Sequence, residues 1–328
     1  EWSEGLVGFK PAPVFDISQT EGEPLPELDT EATGDAGDLV GRPNRVSDWL
    51  DEYLPAVPPA AYLLIFLILP ILYAVYISFF EYSATTIISW NFTLEHYEQL
   101  LFDPFYQGLL WYTVKLSLIV SAFCVLLGYP LGYFIATTTP LRRQLALFAV
   151  FLPLMVGTVV RIYGWIVLFA TNGVINTVLQ DLLGFKLALL GNTLSVTIGL
   201  IGVYLPLVVL PVYSSIEDIP DSLVPAARNL GANQLQAFYK VTFRLSLPGL
   251  LTGTIFVFVL TMNSIVTPDL LGGRSDLTMG RLIYDSAVNG LNWPFASAVG
   301  TVLTITTTAL VYIYFSFVRD RMGVSEWD

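Results

Sequence analysis

The chain has 328 residues, of which 54% are hydrophobic and only 13% are charged, and its formal net charge is −12. A soluble globular domain carries about 25% charged residues, so this composition excludes that class and predicts a membrane protein. The single cysteine, Cys124, excludes an internal disulfide, and the single histidine, His96, leaves no Cys/His cluster for a structural zinc site.

The first 52 residues form a separate region by composition. They contain 13 of the 27 acidic residues and three of the 15 basic residues, so they carry −10 of the net charge. They are rich in Pro, Gly, Thr and Glu, and they lack apolar periodicity. Residues 1–52 are therefore predicted to be an acidic, mostly disordered tail, and the membrane domain is predicted over residues 53–328.

Long uncharged runs predict where this domain crosses the membrane, because about 20 apolar residues are needed to span the hydrocarbon. The six predicted spans cover residues 53–80, 116–141, 144–169, 187–216, 245–268 and 286–318. Six helical spans predict an all-α, polytopic fold with both termini on the same side of the membrane.

Basic residues in the short loops predict which side that is. The links after the second and fourth spans and the C-terminal segment hold seven bases, which are Arg142, Arg143, Arg228, Lys240, Arg244, Arg319 and Arg321. The loops on the opposite side hold Lys186, Arg274 and Arg281, and the long first loop holds none. Both termini are therefore predicted to be cytoplasmic.

A patterned polar segment, residues 221–249, separates the fourth and fifth spans. Its sequence is DSLVPAARNLGANQLQAFYKVTFRLSLPG. Asp221 and Ser222 are suited to cap a helix that runs to about Asn229, and Gly231 can adopt the left-handed conformation that ends a helix. A second helix is predicted over residues 234–241, and the small side chains of the first would permit close approach of a partner.

The spacing of Ala226, Ala227, Gly231 and Pro248 resembles the coupling loop of ABC importer permeases. That loop has the approximate pattern Glu-Ala-Ala, Gly after three residues, and an aliphatic residue followed by Leu-Pro further on. Three spans agree with the same family, through the segments TVKLSLIVSAFCVLLGYPLGYFIA, RIYGWIVLFATNGVINTVL and SIVTPDLLGG. The resemblance covers about residues 55–320, and it is closest to the spermidine/putrescine permeases.

This resemblance implies an ATP-driven importer subunit in the cell membrane, with a transmembrane core at residues 109–318 and a coupling loop at 217–249. The residues it assigns to ATPase coupling are Pro225, Ala226, Ala227, Gly231, Leu247 and Pro248. Pro225 stands where the family usually has glutamate, and Phe243-Arg244 occupies the first Leu-Pro position. Leu247-Pro248 restores that pair four residues later.

The implied partners are an ATP-binding subunit, a second permease subunit, an extracytoplasmic substrate-binding protein and the lipid bilayer, but not nucleic acid. The chain has no Gly-Lys dipeptide and therefore no phosphate-binding P-loop. ATP and Mg²⁺ are accordingly expected on the partner ATPase. No catalytic residue, cofactor or metal is expected on this chain.

Seven residues are candidates to line a substrate pathway, namely Arg161, Tyr163, Trp165, Asn263, Asp269, Asp285 and Trp293. A polyamine is a polycation, so carboxylates and aromatic faces suit its pathway. Arg161 favours an anionic substrate instead, unless it is a structural anchor held by carbonyl groups and Trp165. Asp269 has the alternative role of capping the turn that follows it.

Two other function classes are compatible with a polytopic membrane protein. A secondary transporter driven by an ion gradient would place acidic relays inside its spans, which here contain almost none. A membrane-embedded enzyme would need a catalytic motif, and the sequence has neither a metal-ligand cluster nor a GxSxG motif. The sequence leaves the transported solute open, because relatives of this fold also carry iron, sulfate, phosphonates and thiamine.

Overall fold

A computed structural model describes residues 57–273 and 276–322 of the chain. The predicted acidic tail, residues 1–52, lies outside the described residues. The chain divides into two units, residues 1–63 and 64–328. The described part of the first unit is the helix α1, Val57–Leu63.

Within the described residues of the second unit, the regular structure is helical apart from one β-hairpin near its start. Its helices are α2 (Leu69–Ile77), α3 (Glu95–Phe102), α4 (Pro104–Thr137), α5 (Pro140–Met155), α6 (Thr158–Phe169), α7 (Val174–Leu183), α8 (Thr193–Tyr204), α9 (Pro206–Glu217), α10 (Leu223–Asn229), α11 (Gln234–Ala237), α12 (Arg244–Met262), α13 (Val266–Leu271), α14 (Met279–Tyr284) and α15 (Trp293–Met322). π-Helical turns cover Leu64–Ile68, Phe238–Phe243 and Asp285–Asn289, and the hairpin pairs β1 (Phe80–Ser83) with β2 (Ile87–Phe92) in antiparallel fashion.

Within the described residues, six helical stretches are long and apolar enough to cross a membrane, as the sequence predicted. They are Val57–Ile77, Pro104–Thr137, Thr158–Leu183, Thr193–Glu217, Gln234–Met262 and Trp293–Ser316. Their lengths of 21 to 34 residues match or exceed the roughly 20 residues that a bilayer crossing requires.

The third predicted span, residues 144–169, is not one continuous helix. The structure divides it into α5 and α6, with an extended Gly157 between them. Pro153 lies in the last turn of α5 and lacks the N–H that would continue the helical ladder, while glycine has a low helix propensity. Hydropathy alone does not detect this break, because both helices are apolar.

Other span ends also differ from the sequence prediction. The second and fifth spans begin earlier than predicted, at Pro104 and Gln234 rather than at 116 and 245. The fourth span begins at Thr193 rather than at 187, because Asn192 and Ser195 form a capping box there. The fifth ends at Met262, so Asn263 follows the helix and does not lie inside it. The last begins at Trp293, after a bend in which the non-glycine Leu291 has a φ of 50°.

The core is built around three helices, α4, α9 and α12, that pack against one another. Glycines on α4 and α12 face the α9 backbone and its valines: Gly128 faces Val208, and Gly132 faces Val212. Apolar side chains gain little by leaving lipid for another helix, so close contact at small residues supplies the attraction between spans. The buried residues of this core include Leu116, Val120, Cys124, Val208, Val212 and Val257.

The β-hairpin and α3 form a small cap at one end of α2 and α15. The Ser78 hydroxyl hydrogen bonds to the Tyr97 hydroxyl at 2.6 Å, and His96 Nε2 lies 3.1 Å from the Phe80 carbonyl oxygen. His96 is buried, and its ring packs edge-on against Phe295. The only histidine of the chain therefore serves the packing of this cap.

Replacing Gly249 with alanine is expected to destabilise the packing of α12 on α9. An added Cβ would overlap the Pro211 carbonyl oxygen and the Ser215 hydroxyl, so the two helices would have to separate. Overpacking of this kind costs about 1 to 3 kcal/mol. Thermal melting of the purified variant in detergent should show a lower midpoint than the wild type.

The matched control is Gly108→Ala on α4, where an added Cβ would meet no heavy atom within 4 Å. Its melting midpoint should stay at or above that of the wild type, since alanine favours the helix. Equal melting of the Gly249 variant and this control would contradict the assigned packing.

Candidate functional site

The segment between α9 and α12 contains the first short helix that the sequence predicted, α10. The second predicted helix, residues 234–241, is not a separate element, because α11 continues through π-helical turns at Phe238–Phe243 into α12. Gly231 separates α10 from α11 with a φ of +90°, and its N–H donates to the Arg228 carbonyl at 2.9 Å. Ser222 occupies the N-cap position of α10 but makes no capping bond through its side chain. The second helix, α11, does have a side-chain cap. Asn233 and Gln236 form a capping box at its start, which was not predicted from the sequence.

Most of the residues assigned to ATPase coupling lie on the surface of this segment. Pro225, Ala226 and Gly231 are exposed, and Ala227 is partly buried. The neighbouring Leu230 is 89% exposed. Beside it is a groove of about 390 Å³, lined by Tyr133, Val224, Arg228, Gln234, Leu235, Phe238 and Thr242.

An aromatic cluster joins the second half of this segment to α4. Phe238 packs edge-on against Tyr133, and Phe243 packs against Tyr129, each with ring centroids 5.3 Å apart. The Tyr129 hydroxyl also hydrogen bonds to the Ser246 hydroxyl at 3.1 Å. The segment is therefore exposed on one side and attached to the membrane helices on the other.

The last two coupling residues, Leu247 and Pro248, lie within the first turns of α12. Leu247 packs against the main core, whereas Pro248 is exposed. They do not form part of the exposed surface around Gly231. They lie where the segment joins the fifth span.

Arg161 lies near the start of α6, and its guanidinium group contacts α8. Nη1 donates to the Val203 carbonyl at 3.4 Å, and Nη2 donates to the Thr158 hydroxyl at 3.3 Å. Trp165 stacks on Phe169 and packs against Gly202. These carbonyl and hydroxyl contacts match the anchoring alternative for Arg161, while Tyr163 on the same helix is exposed.

Asp269 and Asp285 are brought together by a cation. Arg281 Nη2 lies 3.0 Å from Asp269 Oδ1, and Arg281 Nε lies 3.6 Å from Asp285 Oδ2. The Asn289 side chain donates to the other oxygen of Asp285 at 2.9 Å. All three charged side chains are partly exposed, so this triad, with a formal charge of −1, is accessible from outside the chain.

The remaining two candidates lie in different surroundings. Asn263 donates to the Val259 carbonyl at 2.8 Å, and its own carbonyl lies next to Gly280, one residue before Arg281. Trp293 borders a separate apolar groove of about 730 Å³ between α2, α14 and α15. The structure thus places the backbone of Asn263 next to Gly280, and Trp293 on another surface.

The roles of Arg281 and Asp276 were not predicted from the sequence. Asp276 is buried and accepts hydrogen bonds from Thr193 at 2.5 Å, Tyr112 at 3.1 Å and the Gly273 N–H at 2.8 Å. It holds the loop after α13 against α4 and α8. No local pattern reveals this role, because the bonded side chains are 83 and 164 residues away.

Among the residues that the structure describes, no group of three or more His, Cys, Asp or Glu side chains is arranged to hold a metal ion.

Comparison with known proteins identifies both sequence relatives and structural neighbours. Residues 128–324 match the family model described as "Binding-protein-dependent transport system inner membrane component". The spermidine/putrescine transport system permease protein PotB of Haemophilus influenzae is 35% identical over 78% of this chain and 90% of that protein. Its Escherichia coli counterpart is 33% identical over 77% and 92%.

Solved structures of bacterial ABC transporters have the same fold. A chain of the alginate ABC transporter, in complex with alginate pentasaccharide-bound periplasmic protein, superposes with a TM-score of 0.66 at 18% identity, over 84% of this chain and 96% of that one. A chain of the methionine transporter MetNI in an inward-facing conformation gives 0.53 at 18%, over 68% and 98%.

Proposed function

The chain belongs to the family of binding-protein-dependent transport system inner membrane components, and we propose that it is the permease subunit of an ATP-driven polyamine importer. The observation that carries the polyamine assignment is the 33–35% identity to spermidine/putrescine permeases along more than three quarters of the chain. These relatives are transport subunits, not enzymes. They give no support to the alternative of a transporter driven by an ion gradient.

The proposed partners are a separate ATPase, a second permease and an extracytoplasmic binding protein. ATP and Mg²⁺ would be held by the ATPase, and the surface that meets it is proposed to be the segment with Pro225, Ala226, Ala227 and Gly231. Three features support this: the exposure of Leu230, the neighbouring groove, and the attachment of the segment to α4. Leu247 and Pro248 are proposed to connect this surface with α12.

Replacing Gly231 with valine is expected to abolish spermidine uptake while the chain still inserts into the membrane. A β-branched residue strongly disfavours the left-handed backbone conformation at this position, so the angle between α10 and α11 would change. Uptake and binding-protein-stimulated ATP hydrolysis should be measured on the reconstituted complex.

A matched control is Gly184→Val, because Gly184 also has a left-handed backbone, with a φ of +74°, and an added Cβ there meets nothing within 4 Å. This position follows α7, away from the proposed docking surface, so uptake should persist. Normal uptake by the Gly231 variant would refute the docking role of this segment.

The substrate pathway is proposed to include the triad of Asp269, Arg281 and Asp285. Its formal charge of −1 attracts a cation, and its partial exposure leaves the carboxylates accessible. The Asn263 carbonyl lies next to Gly280, the residue before Arg281, and Tyr163, Trp165 and Trp293 offer aromatic faces elsewhere on the chain. Arg161 is proposed to hold α6 against α8, since its contacts are to a carbonyl and a hydroxyl of the protein.

Replacing Asp269 with asparagine is expected to raise the KM for spermidine in the reconstituted importer. Loss of one charge-assisted hydrogen bond costs about 1.5 to 3 kcal/mol, which corresponds to a roughly 10- to 100-fold weaker interaction. Asp285→Asn should act in the same direction. The control Asp181→Asn removes an exposed acid from α7, and unchanged KM values in all three variants would exclude the triad from the pathway.

Both termini and the segment around Gly231 are proposed to be cytoplasmic, on the strength of the basic residues in the links after the second and fourth spans. The chain has one cysteine, which is buried, so Cys124→Ala provides a background for labelling. In that background, a cysteine replacing Phe102 should react with a membrane-impermeant maleimide in intact spheroplasts. A cysteine replacing Leu230 should react only after lysis, and the reverse pattern would invert the topology.

A further inference from the structure

The guanidinium group of Arg143 joins three helix ends at the base of the proposed docking segment. Arg143 lies near the start of α5, and its Nη1 donates to Glu217 Oε1 at 2.7 Å. Its Nη2 donates to the carbonyl of Ala136, near the end of α4, at 3.0 Å. Glu217 is the last residue of α9, so the docking segment leaves the membrane helices at this ion pair.

The other end of the docking segment is held by the same helices. Where the chain enters α12, the Ser246 hydroxyl bonds to Tyr129 of α4, and Gly249 lies against Pro211 and Ser215 of α9. Both ends of the segment are therefore tied to α4 and α9. A displacement of the segment must therefore move α4 and α9 together, unless the contacts at one of its ends are lost.

The ion pair contributes little to the stability of the fold by comparison with these packing contacts. The Arg143 and Glu217 side chains are 33% and 43% exposed, and ion pairs with such exposure are screened by water and salt. Its geometry is nevertheless specific, because one planar fork engages a carboxylate and a backbone carbonyl on different helices. A weak but geometrically specific ion pair of this kind indicates that Arg143 orients the end of α9 and does not stabilise the fold as a whole.

We propose that Arg143 is a positioning residue for energy coupling, which holds the end of α9 so that motion of the docking segment is transmitted to α4, α5 and α9 as one body. This inference rests on the proposed function, because it requires an ATPase at the docking segment. Without the pair, the segment would still bind and stimulate the ATPase. Its motion would be partly absorbed by bending at residues 217–222, and less of it would reach α4, α5 and α9.

The test is the amount of spermidine transported per ATP hydrolysed, measured on the complete complex in proteoliposomes. Arg143→Gln and Glu217→Gln should each lower this ratio by about fivefold or more, the usual lower range of coupling between sites. Spermidine-stimulated ATP hydrolysis should stay near the wild-type rate. Arg142→Gln is the matched control, since it removes an exposed charge from the adjacent position, and it should leave the ratio unchanged.

The charge-reversed double variant, Arg143→Glu with Glu217→Arg, restores the pair with opposite polarity and should recover much of the ratio. Its reference points are the single variants Arg143→Glu and Glu217→Arg, because a double variant that contains both of these changes and still recovers separates positioning from a general loss of folding. A wild-type ratio in both single variants, or a double variant no better than the singles, would overturn the inference. Absence of spermidine-stimulated ATP hydrolysis in the wild-type complex would instead overturn the proposed function itself.

Discussion

The close approach of α4, α9 and α12 at small residues is the constraint on which the rest of the structure depends. In a bilayer, two apolar helices gain little by leaving lipid for each other, so their association depends on direct van der Waals contact and hydrogen bonds. Gly128, Gly132 and Gly249 permit that contact because a Cβ at each would overlap α9. The three helices therefore form a closely packed body, and the segment between α9 and α12 begins and ends on it.

Helix ends within the membrane domain create a second demand, because carbonyl groups that lose their helical partners must be bonded elsewhere. Where α12 ends, the Tyr204 hydroxyl donates to the Leu260 carbonyl and the Thr278 hydroxyl donates to the Ser264 carbonyl. Arg161 similarly donates to a carbonyl of α8 close to the end of that helix. Arg161, which the sequence suggested as a possible solute ligand, thus also satisfies a backbone carbonyl near the end of a helix.

The number of spans was predictable from the sequence because it depends on a local property, the length of an uncharged run. The ends of the spans were less predictable, since they depend on caps and breaks that hydropathy does not measure. The capping box at Asn192 and the interruption at Gly157 are examples. The turn at Gly231 between α10 and α11 was predictable because its signals, small residues and a glycine suited to a left-handed backbone, are close together in the chain. Arg281 and Asp276 were not, because their roles depend on partners brought near by the tertiary fold.

The position of the charged triad bears on why a second permease is needed. A polycation moving through hydrocarbon must be surrounded by polar groups on all sides, since an ion exposed to lipid is strongly disfavoured. In this chain, Asp269 and Asp285 are 45% and 40% exposed, so its own helices cover only part of their surroundings. Arg281 partly neutralises them, which lowers the cost of exposing two carboxylates before the complex forms. If the pathway includes this triad, this chain encloses it only in part, and we propose that the second permease subunit contributes the remaining wall.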